Sequence, residues 1–265
     1  MKIAVIGGGN MGLTYAESIY NNFNDTNISI VEKDIAKIEQ LKTYKHFSVY
    51  SNASDCIANA EIILLAVKPQ FINTVFDEIK SLISSEQIIL SIMAGVTINT
   101  LHKGLNTLKI VRAMPNLPSQ VGYGVTGFIA SKEVTEKEIK HIKAILEATG
   151  YAINVSNEEA IDAITALSGS GPAYVFYFMS AMMDEAKALG FNENEAKDIV
   201  LNTFLGTSKL FENSENMANT WIERVTSKGG TTHAALSIFK EDKLNEKIQK
   251  GVKAAFNRAK ELGKS

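Results

Sequence analysis

The chain has 265 residues, enough for one large domain or two modest ones, and 45% hydrophobic with 21% charged residues is a globular composition. The 27 basic and 29 acidic residues give a net charge of −2, which argues against nucleic-acid and membrane-surface partners. One cysteine excludes an internal disulfide and, with four histidines, argues against a metal cage, so we expect a reduced, cytoplasmic protein. No apolar run approaches the length of a signal peptide core or a membrane span.

Residues 1–155 alternate short β-branched runs with amphipathic segments, which is the pattern of parallel βαβ units. The run Ile62–Val67 is apolar at every position, as expected of a central strand covered by helices on both faces. We therefore predict a Rossmann-type, doubly wound parallel sheet, forming a dinucleotide-binding domain over residues 1–155. The predicted strands are Ile3–Ile6, Ile28–Val31, Ile62–Val67, Ile88–Ile92, Lys109–Arg112 and Val125–Ile129.

The first predicted strand runs directly into a G-x-G-x-x-G motif that precedes an amphipathic helix. In this context Gly7 permits a tight turn, Gly9 lets the backbone approach a pyrophosphate, and Gly12 allows close packing of helix on strand. Asn10 and Met11 begin the helix, whose free amides and dipole attract phosphates. A glycine-rich segment alone is typical of a flexible turn, but its place at the first βα junction indicates a dinucleotide site.

Glu32 closes the second predicted strand, where an acidic side chain in this fold accepts hydrogen bonds from the adenosine ribose hydroxyls. Its carboxylate favours NAD over NADP. The neighbouring Lys33 favours NADP instead, because an ammonium there pairs with a 2′-phosphate, although less well than an arginine guanidinium does. A solvated charge pair ahead of a helix starting at Asp34 is the alternative, and the sequence leaves it open.

Two proline-bearing loops follow strands at the edge of the sheet where a nucleotide binds in this fold. They are Val67–Gln70 and Met114–Pro118, and together they hold three of the four prolines. Both are candidate cofactor contacts. Proline as a helix start or as a loop stiffener explains them equally well.

In the second half of the chain the strand patterns stop and long helical patterns follow. Asn157 is predicted to open a helix that ends at Gly169–Pro172, where the proline starts the next helix. From Ala173 to Met183 that next helix is apolar on nearly every face, so it must be covered on all sides. We therefore predict a helical domain over residues 156–265 whose apolar helix lies between two subunits; the central helix of a monomeric bundle is the alternative.

The chain lacks the base that oxidation of an alcohol requires. A β-hydroxyacid dehydrogenase carries a lysine shortly after a junction like Gly169–Gly171, but here the next lysine is Lys187, about four helical turns further on. A protonated imine already carries the charge that attracts hydride. Its reduction needs orientation, a hydroxyl near the nitrogen and a dock for any substrate carboxylate.

The segment Val225–Thr232 contains groups of this kind. Gly229 and Gly230 are expected to leave their backbone amides free, hydroxyl side chains surround them, and a helix is expected to begin at about Thr232. Such a segment is a candidate anion-binding nest with hydroxyl donors. A plain glycine-rich helix cap explains the same residues.

Five segments, taken together, resemble those of pyrroline-5-carboxylate reductases, in the same order and at the spacing of that family. The resemblance covers essentially the whole chain, and its most specific part is the segment of residues 225–236. The five segments are Ile6–Gly12, Ala66–Gln70, Met114–Asn116, Ala166–Tyr174 and Val225–Thr232.

The resemblance implies reduction of L-1-pyrroline-5-carboxylate to L-proline with NADPH or NADH, the last step of proline biosynthesis. It implies that Thr232 hydrogen-bonds the ring nitrogen and is the catalytic residue, and that Glu215 reaches the region of the substrate amine. The implied substrate contacts are Glu215, Ser227, Gly229, Gly230, Thr231 and Thr232. The implied cofactor contacts, beyond the glycine motif and Glu32 with Lys33, are Ala66, Val67, Lys68, Pro69, Ala94, Gly95, Met114, Pro115 and Asn116.

The resemblance also implies a homodimer, alone or as part of an assembly of dimers, in which two helical domains interlock and build the site jointly. This chain departs from many relatives at Lys228, where they have proline, and at Glu32 with Lys33, where they have an Asn-Arg pair. The second departure predicts that NADH serves at least as well as NADPH. A reductase for a six-membered cyclic imine and a nucleotide-binding redox sensor without turnover are the alternative functions.

Overall fold

A computed structural model describes residues 1–263, which form two compact units. The sheet unit comprises residues 1–170 together with Ala255 to the last described residue, and the helical unit comprises residues 171–254. The predicted boundary after residue 155 falls within the sheet unit, because the helix Glu158–Ile164 packs onto strands of the sheet. Over the described part of the chain, every helix is too short or too polar to cross a bilayer.

The sheet unit contains one sheet of eight strands, and all neighbouring strands are parallel except the antiparallel pair β6 and β7. The strands are β1 (Lys2–Ile6), β2 (Asn27–Val31), β3 (Phe47–Tyr50), β4 (Ile62–Leu65), β5 (Ile88–Ser91), β6 (Ile110–Met114), β7 (Gly124–Ala130) and β8 (Gly150–Asn154). Their order is β3-β2-β1-β4-β5-β6-β7-β8, whose first six members follow the classic dinucleotide-binding arrangement. The predicted doubly wound sheet is thereby confirmed.

The predicted strands correspond to six of these eight, and the differences have physical causes. The strand predicted over Ile62–Val67 ends at Leu65, because Ala66 and Val67 belong to the loop that follows. The sequence missed β3 and β8, which lie at the two edges of the sheet. An edge strand is partly exposed, so its sequence shows a short alternation instead of the apolar run of a central strand.

Helices cover both faces of the sheet, and each face has its own apolar core. Side chains alternate between the two cores along a strand: Leu64 belongs to one core and Ile63 to the other. Tyr15 and Ile142 come from helices on the first face, and Phe76 from a helix on the second. The helices are α1 (Asn10–Asn22), α2 (Ile35–Leu41), α3 (Ile72–Ile79), α4 (Ile98–Leu105), α5 (Glu136–Glu147) and α6 (Glu158–Ile164).

The helical unit contains α7 (Gly171–Ala188), α8 (Glu193–Glu212), α9 (Ala218–Arg224), α10 (Thr231–Glu241) and most of α11 (Leu244–Leu262). Helices α7 and α8 pack against each other. Among residues 171–254 only Ala186, Ala196 and Val200 are buried. Large apolar side chains of α7 lie exposed instead, with Phe176 60% and Tyr177 79% accessible. The predicted apolar helix therefore exists, but its own unit does not cover it.

Candidate cofactor and substrate site

The five segments predicted to contact a cofactor follow the parallel strands β1, β2, β4, β5 and β6. They are residues 7–12, 32–33, 66–69, 94–95 and 114–116. Because these strands are parallel, their carboxyl ends meet at one edge of the sheet, and the strand order reverses between β1 and β4. Ligands of open α/β sheets bind at such a switch point. The structure thus brings all five segments to one edge.

The glycine motif forms the centre of this edge. Gly7 has φ of 105°, a left-handed conformation that favours glycine, and its amide donates to the Val31 carbonyl at 2.8 Å. A Cβ on Gly12 would collide with the carbonyl oxygen of Gly7, so helix and strand pack as closely as predicted. A Cβ on Gly9 would meet no protein atom within 4 Å. That open cradle before the first turn of α1, which no side chain caps, fits a pyrophosphate group.

The Glu32 carboxylate closes one side of the cradle. Its Oε2 accepts the Gly8 amide at 3.0 Å, and its Oε1 accepts the amides of Lys33 at 2.8 Å and Asp34 at 3.0 Å. These bonds fix the carboxylate beside the glycine turn, and carboxylate oxygens have further lone pairs for an outside donor. A ribose hydroxyl is a donor of that kind. Asp34 also caps α2 by accepting the Lys37 amide, so the predicted helix start is confirmed.

The Lys33 ammonium is bonded to Glu78 of α3. The Nζ–Oε1 distance is 2.8 Å, and the same Oε1 accepts the Ala53 amide at 3.0 Å. Burial raises the pKa of Glu78, but the bonds from Lys33 and Ala53 outweigh it, so the pKa lies below its ordinary value. Sequence reasoning missed Glu78, because nothing in the chain pattern marks an acid that lies 45 residues from its partner.

The turn after β5 is braced by the end of the last helix. Gly95 adopts φ of 73°, and a Cβ there would lie 3.2 Å from the carbonyl oxygen of Leu262. Ala94 next to it is exposed. The loop after β4 is short, since Pro69 opens a single 3₁₀ turn, Pro69–Phe71, that leads directly into α3. One loop is thus closely packed against the last helix, and the other is short.

Asn116 links the loop after β6 to the chain that follows α6. Its Nδ2 donates to the Ser168 carbonyl oxygen at 3.1 Å and lies 2.9 Å from the Ser168 Oγ, while its Oδ1 accepts the Val125 amide at 2.8 Å. Ser168 lies in a π-helical turn, Thr165–Gly169, a feature that often marks functional sites. Because both ends of its carboxamide are engaged within the protein, Asn116 holds the loop in place, and any cofactor contact from it remains a prediction.

A buried charge cluster holds α6 against the sheet. Arg112 of β6 is 3% exposed and its guanidinium lies 2.7 Å from Glu158 Oε1 and 3.3 Å from Asp162 Oδ1. Glu158 Oε1 also accepts the Ile98 amide at 3.0 Å. The cluster satisfies a cation that would be costly to bury alone. A single arginine within an apolar strand was the available signal, and sequence reasoning did not use it.

The candidate substrate segment lies in the helical unit and corrects one expectation. Gly230 does not offer a free amide, because its N–H donates to the Ser227 carbonyl at 3.0 Å. The Ser227 hydroxyl lies against Gly230, 2.5 Å from where a Cβ would stand. Gly229 has φ of 73°, and α10 begins at Thr231 without a side-chain cap. The first-turn amides of α10, those of Thr231 and Thr232, are therefore the candidate anion donors in place of the Gly230 amide.

The other residues predicted for the substrate are exposed or half-buried. Thr232 is half-buried in the first turn of α10, and Ser227 is exposed. Glu215 is exposed in the loop between α8 and α9. These positions leave the hydroxyls accessible to a ligand within the helical unit.

The remaining reactive groups do not form a second centre within residues 1–263. No group of three or more His, Cys, Asp or Glu side chains in that range is arranged to hold a metal. Cys56 is buried, and burial together with the charges of Asp55 and Glu78 raises the pKa of its thiol to about 11. The thiol therefore stays protonated at neutral pH.

Two family profiles match the chain. The profile described as pyrroline-5-carboxylate reductase dimerisation matches residues 158–262, and the profile described as NADP oxidoreductase, coenzyme F420-dependent, matches residues 2–95. Curated relatives match over nearly their full length. A pyrroline-5-carboxylate reductase of Vibrio alginolyticus is 36% identical over 99% of this chain and 98% of its own, and that of Synechocystis is 32% identical over 100% and 99%.

Solved structures agree with this result. A pyrroline-5-carboxylate reductase of Coxiella burnetii superposes with a TM-score of 0.92 at 36% identity, covering 99% of this chain and 98% of that one. A pyrroline carboxylate reductase of Plasmodium falciparum, solved with NADP bound, superposes with a TM-score of 0.87 at 26% identity over 99% and 98%.

Proposed function

Because the chain belongs to the pyrroline-5-carboxylate reductase family, we propose that it reduces L-1-pyrroline-5-carboxylate to L-proline. The reaction adds hydride to the carbon of the protonated imine. The C=N double bond becomes a C–N single bond, and the nitrogen keeps its proton as a neutral amine. The bound NAD(P)H supplies that hydride. The observation that carries the assignment is the open cradle at Gly9, combined with a hydroxyl-bearing, uncapped helix start at Thr231.

The sheet unit holds the cofactor in this proposal. The first-turn amides of α1 bind the pyrophosphate at Gly9, and the fixed Glu32 carboxylate accepts from the adenosine ribose. The loops after β4, β5 and β6 line the nicotinamide side. Asn116 anchors one of those loops through Ser168, and Gly95 in another packs closely against the Leu262 backbone. The geometry of the edge is therefore set before a cofactor arrives, which favours an oriented hydride donor.

The helical unit holds the substrate. The amides of Thr231 and Thr232 bind the substrate carboxylate, with the Ser227 hydroxyl beside Gly230 as a further donor. The Thr232 hydroxyl then hydrogen-bonds the ring nitrogen, whose charge disappears during reduction. Glu215 reaches the region of the amine. A protonated imine needs no oxyanion hole, so a neutral hydroxyl together with a carboxylate dock is sufficient.

We further propose that the active form is a homodimer in the cytoplasm. The matched profile is a dimerisation domain, and it covers the part of the chain whose large apolar side chains are exposed. A second copy that covers α7 would bury Phe176 and Tyr177, which the helical unit leaves accessible. The helical unit then serves both substrate binding and dimerisation. Assembly of dimers into a larger oligomer is part of the same hypothesis.

An assay that follows both the cofactor and the product tests the proposal. The protein is incubated with pyrroline-5-carboxylate and NADH or NADPH, and both the loss of nicotinamide absorbance and the formation of proline are measured. We expect turnover with stoichiometric proline. Faster turnover of the six-membered imine homologue would reassign the substrate, and nucleotide binding without turnover of either imine would favour a redox sensor.

A further inference from the structure

The position of the Lys33 ammonium is set by an acidic residue outside the glycine motif. Lys33 follows β2 directly after Glu32, at the place where a 2′-phosphate of NADPH meets the protein in this fold. Its Nζ nevertheless lies 2.8 Å from Oε1 of Glu78 in α3. The Ala53 amide donates to that same oxygen at 3.0 Å, and the Glu78 side chain is only 26% exposed. The carboxylate is therefore the fixed partner, and the lysine is the side chain that adapts.

We propose that Glu78 is a positioning residue for cofactor choice: by holding the Lys33 ammonium it withholds that cation from a 2′-phosphate, and so favours NADH over NADPH. The inference rests on the proposed function, since it assumes a nicotinamide nucleotide at this edge. Glu78 touches neither cofactor nor substrate in this scheme. It acts through Lys33 alone.

The local charges support this direction. Lys33 carries one positive charge, whereas Glu32, Asp34 and Glu78, which adjoin it or bond to it, carry three negative charges. The Glu32 and Asp34 carboxylates accept backbone amides, whereas the ion pair of the Lys33 ammonium is with Glu78. A phosphate brought to this place meets excess negative charge, which costs binding energy. Released from Glu78, the flexible lysine stem can turn its ammonium toward the phosphate.

The test compares NADH and NADPH binding to the intact protein by calorimetry, together with kcat/KM for each cofactor. Glu78→Gln keeps the shape and an acceptor for the Ala53 amide while removing the charge that holds Lys33. We expect the affinity for NADPH relative to NADH to rise about threefold or more, the scale of a partly exposed ion pair. Lys33→Met alone should leave the ratio nearly unchanged, because the wild-type ammonium is already withheld. The double variant should lose the gain.

The matched control is Glu147→Gln, which removes one charge from an ion pair with Lys143 at 3.5 Å on α5. That helix packs on β8, at the opposite edge of the sheet from β3, so the ratio should not move. An unchanged ratio in Glu78→Gln, or a gain that persists in the double variant, overturns the role of Glu78. Nucleotide binding without imine reduction would refute the proposed function while the binding ratio still decides the inference, and binding of neither nucleotide would refute both.

Discussion

The sheet unit and the helical unit bury their apolar side chains to very different extents. In the sheet unit both faces of the sheet are covered, and side chains such as Ile63 and Leu64 have no exposed surface. In the helical unit three residues of 171–254 are buried, while aromatic side chains of α7 lie open. Burial of apolar surface is the main stabilising term in folding. The sheet unit thus completes its own core, whereas the helical unit leaves large apolar side chains of α7 exposed.

The largest expected effect comes from a charge placed on the exposed face of α7, which tests whether a second copy covers that face. Tyr177→Glu would bury an unpaired carboxylate if a second copy covers that face. We expect the dimer to weaken by about 4 kcal/mol, roughly a thousandfold in Kd, with loss of imine reduction and retention of nucleotide binding. Light scattering and cofactor titration measure the two outcomes.

A matched control is Tyr151→Glu in β8 of the sheet unit, where the aromatic side chain is 61% exposed. It should leave the assembly intact. A wild-type mass near the 28.9 kDa of one chain at micromolar concentration would contradict the comparison itself.

A cavity in the sheet core should act on a single chain. Leu64→Ala removes a fully buried side chain from the centre of β4 and should lower the free energy of unfolding by about 3 kcal/mol. Phe176→Ala should lower Tm by an amount that depends on protein concentration, because it weakens association. Thermal unfolding at several concentrations separates the two. If the Leu64 effect also varied with concentration, the core of the sheet unit would not be self-contained.

Thr232 tests whether substrate chemistry belongs to the helical unit alone. Thr232→Ala should lower kcat/KM for the imine by an amount equivalent to about 1–3 kcal/mol of transition-state stabilisation. This is the range for a hydrogen bond to a charged or otherwise unpaired group. NADH binding in the sheet unit should hardly change. Thr232→Val preserves shape and methyl group, so it should be nearly as impaired as alanine. Full activity in the valine variant, or lost stability with intact catalysis, would mean that Thr232 only starts the helix.

Cofactor choice should respond only to the sheet unit. With Glu32 fixed by three backbone amides, we expect NADH to support turnover at least as well as NADPH. Glu32→Gln retains an acceptor but not the charge, and should shift the ratio of the two kcat/KM values toward NADPH by about 1 kcal/mol. Steady-state kinetics with both cofactors measure this. A wild-type preference for NADPH of about tenfold, or 1.4 kcal/mol, would refute the assignment of Glu32.

The smallest expected effect is on acid stability. Burial raises the pKa of Glu138, but bonds from the Thr135 amide and Lys109 outweigh it and hold the pKa below 4.5, its ordinary value. A carboxyl whose pKa is lowered in the folded state stabilises that state at pH values above the ordinary pKa. This stabilisation is lost as the pH falls through the lowered pKa. In Glu138→Gln the free energy of unfolding should therefore fall less between neutral and acidic pH than in the wild type, by less than about 1 kcal/mol. Chemical denaturation at a series of pH values measures this difference. The same pH dependence in the variant and the wild type would exclude a contribution from the pair of Glu138 and Lys109.

The central sheet, the glycine turn and the approximate helix starts were predictable because each depends on local signals. Gly7 needs a positive φ, Asn157 accepts the Ala160 amide as a cap, and central strands read as apolar runs. Such signals lie within a few residues of the feature they predict. The same reasoning placed four of the five cofactor segments at one edge, since parallel strands bring their carboxyl ends together, whereas residues 94–95 were implied by the family resemblance.

The contacts that pin the site were not predictable, since they join residues far apart in the chain. Asn116 with Ser168, Arg112 with Glu158, and Lys33 with Glu78 are pairs that only the folded chain brings together. The Gly230 amide was predicted to be free because the turn to Ser227 has no marker beyond the glycine itself. Local pattern thus identified the candidate segments but not how their polar atoms are satisfied.

The second and third glycines of the motif, Gly9 and Gly12, should be sensitive to mutation for different reasons. At Gly12 the protein itself excludes any side chain, because a Cβ would strike Gly7, so substitutions there should reduce the yield of folded protein. At Gly9 the space is open, so a small side chain should fold normally and interfere only with a ligand. In a saturation library sorted first for abundance and then for nucleotide binding, the two positions should be depleted at different steps. Gly9 would then supply folded, non-binding variants for separating stability from function.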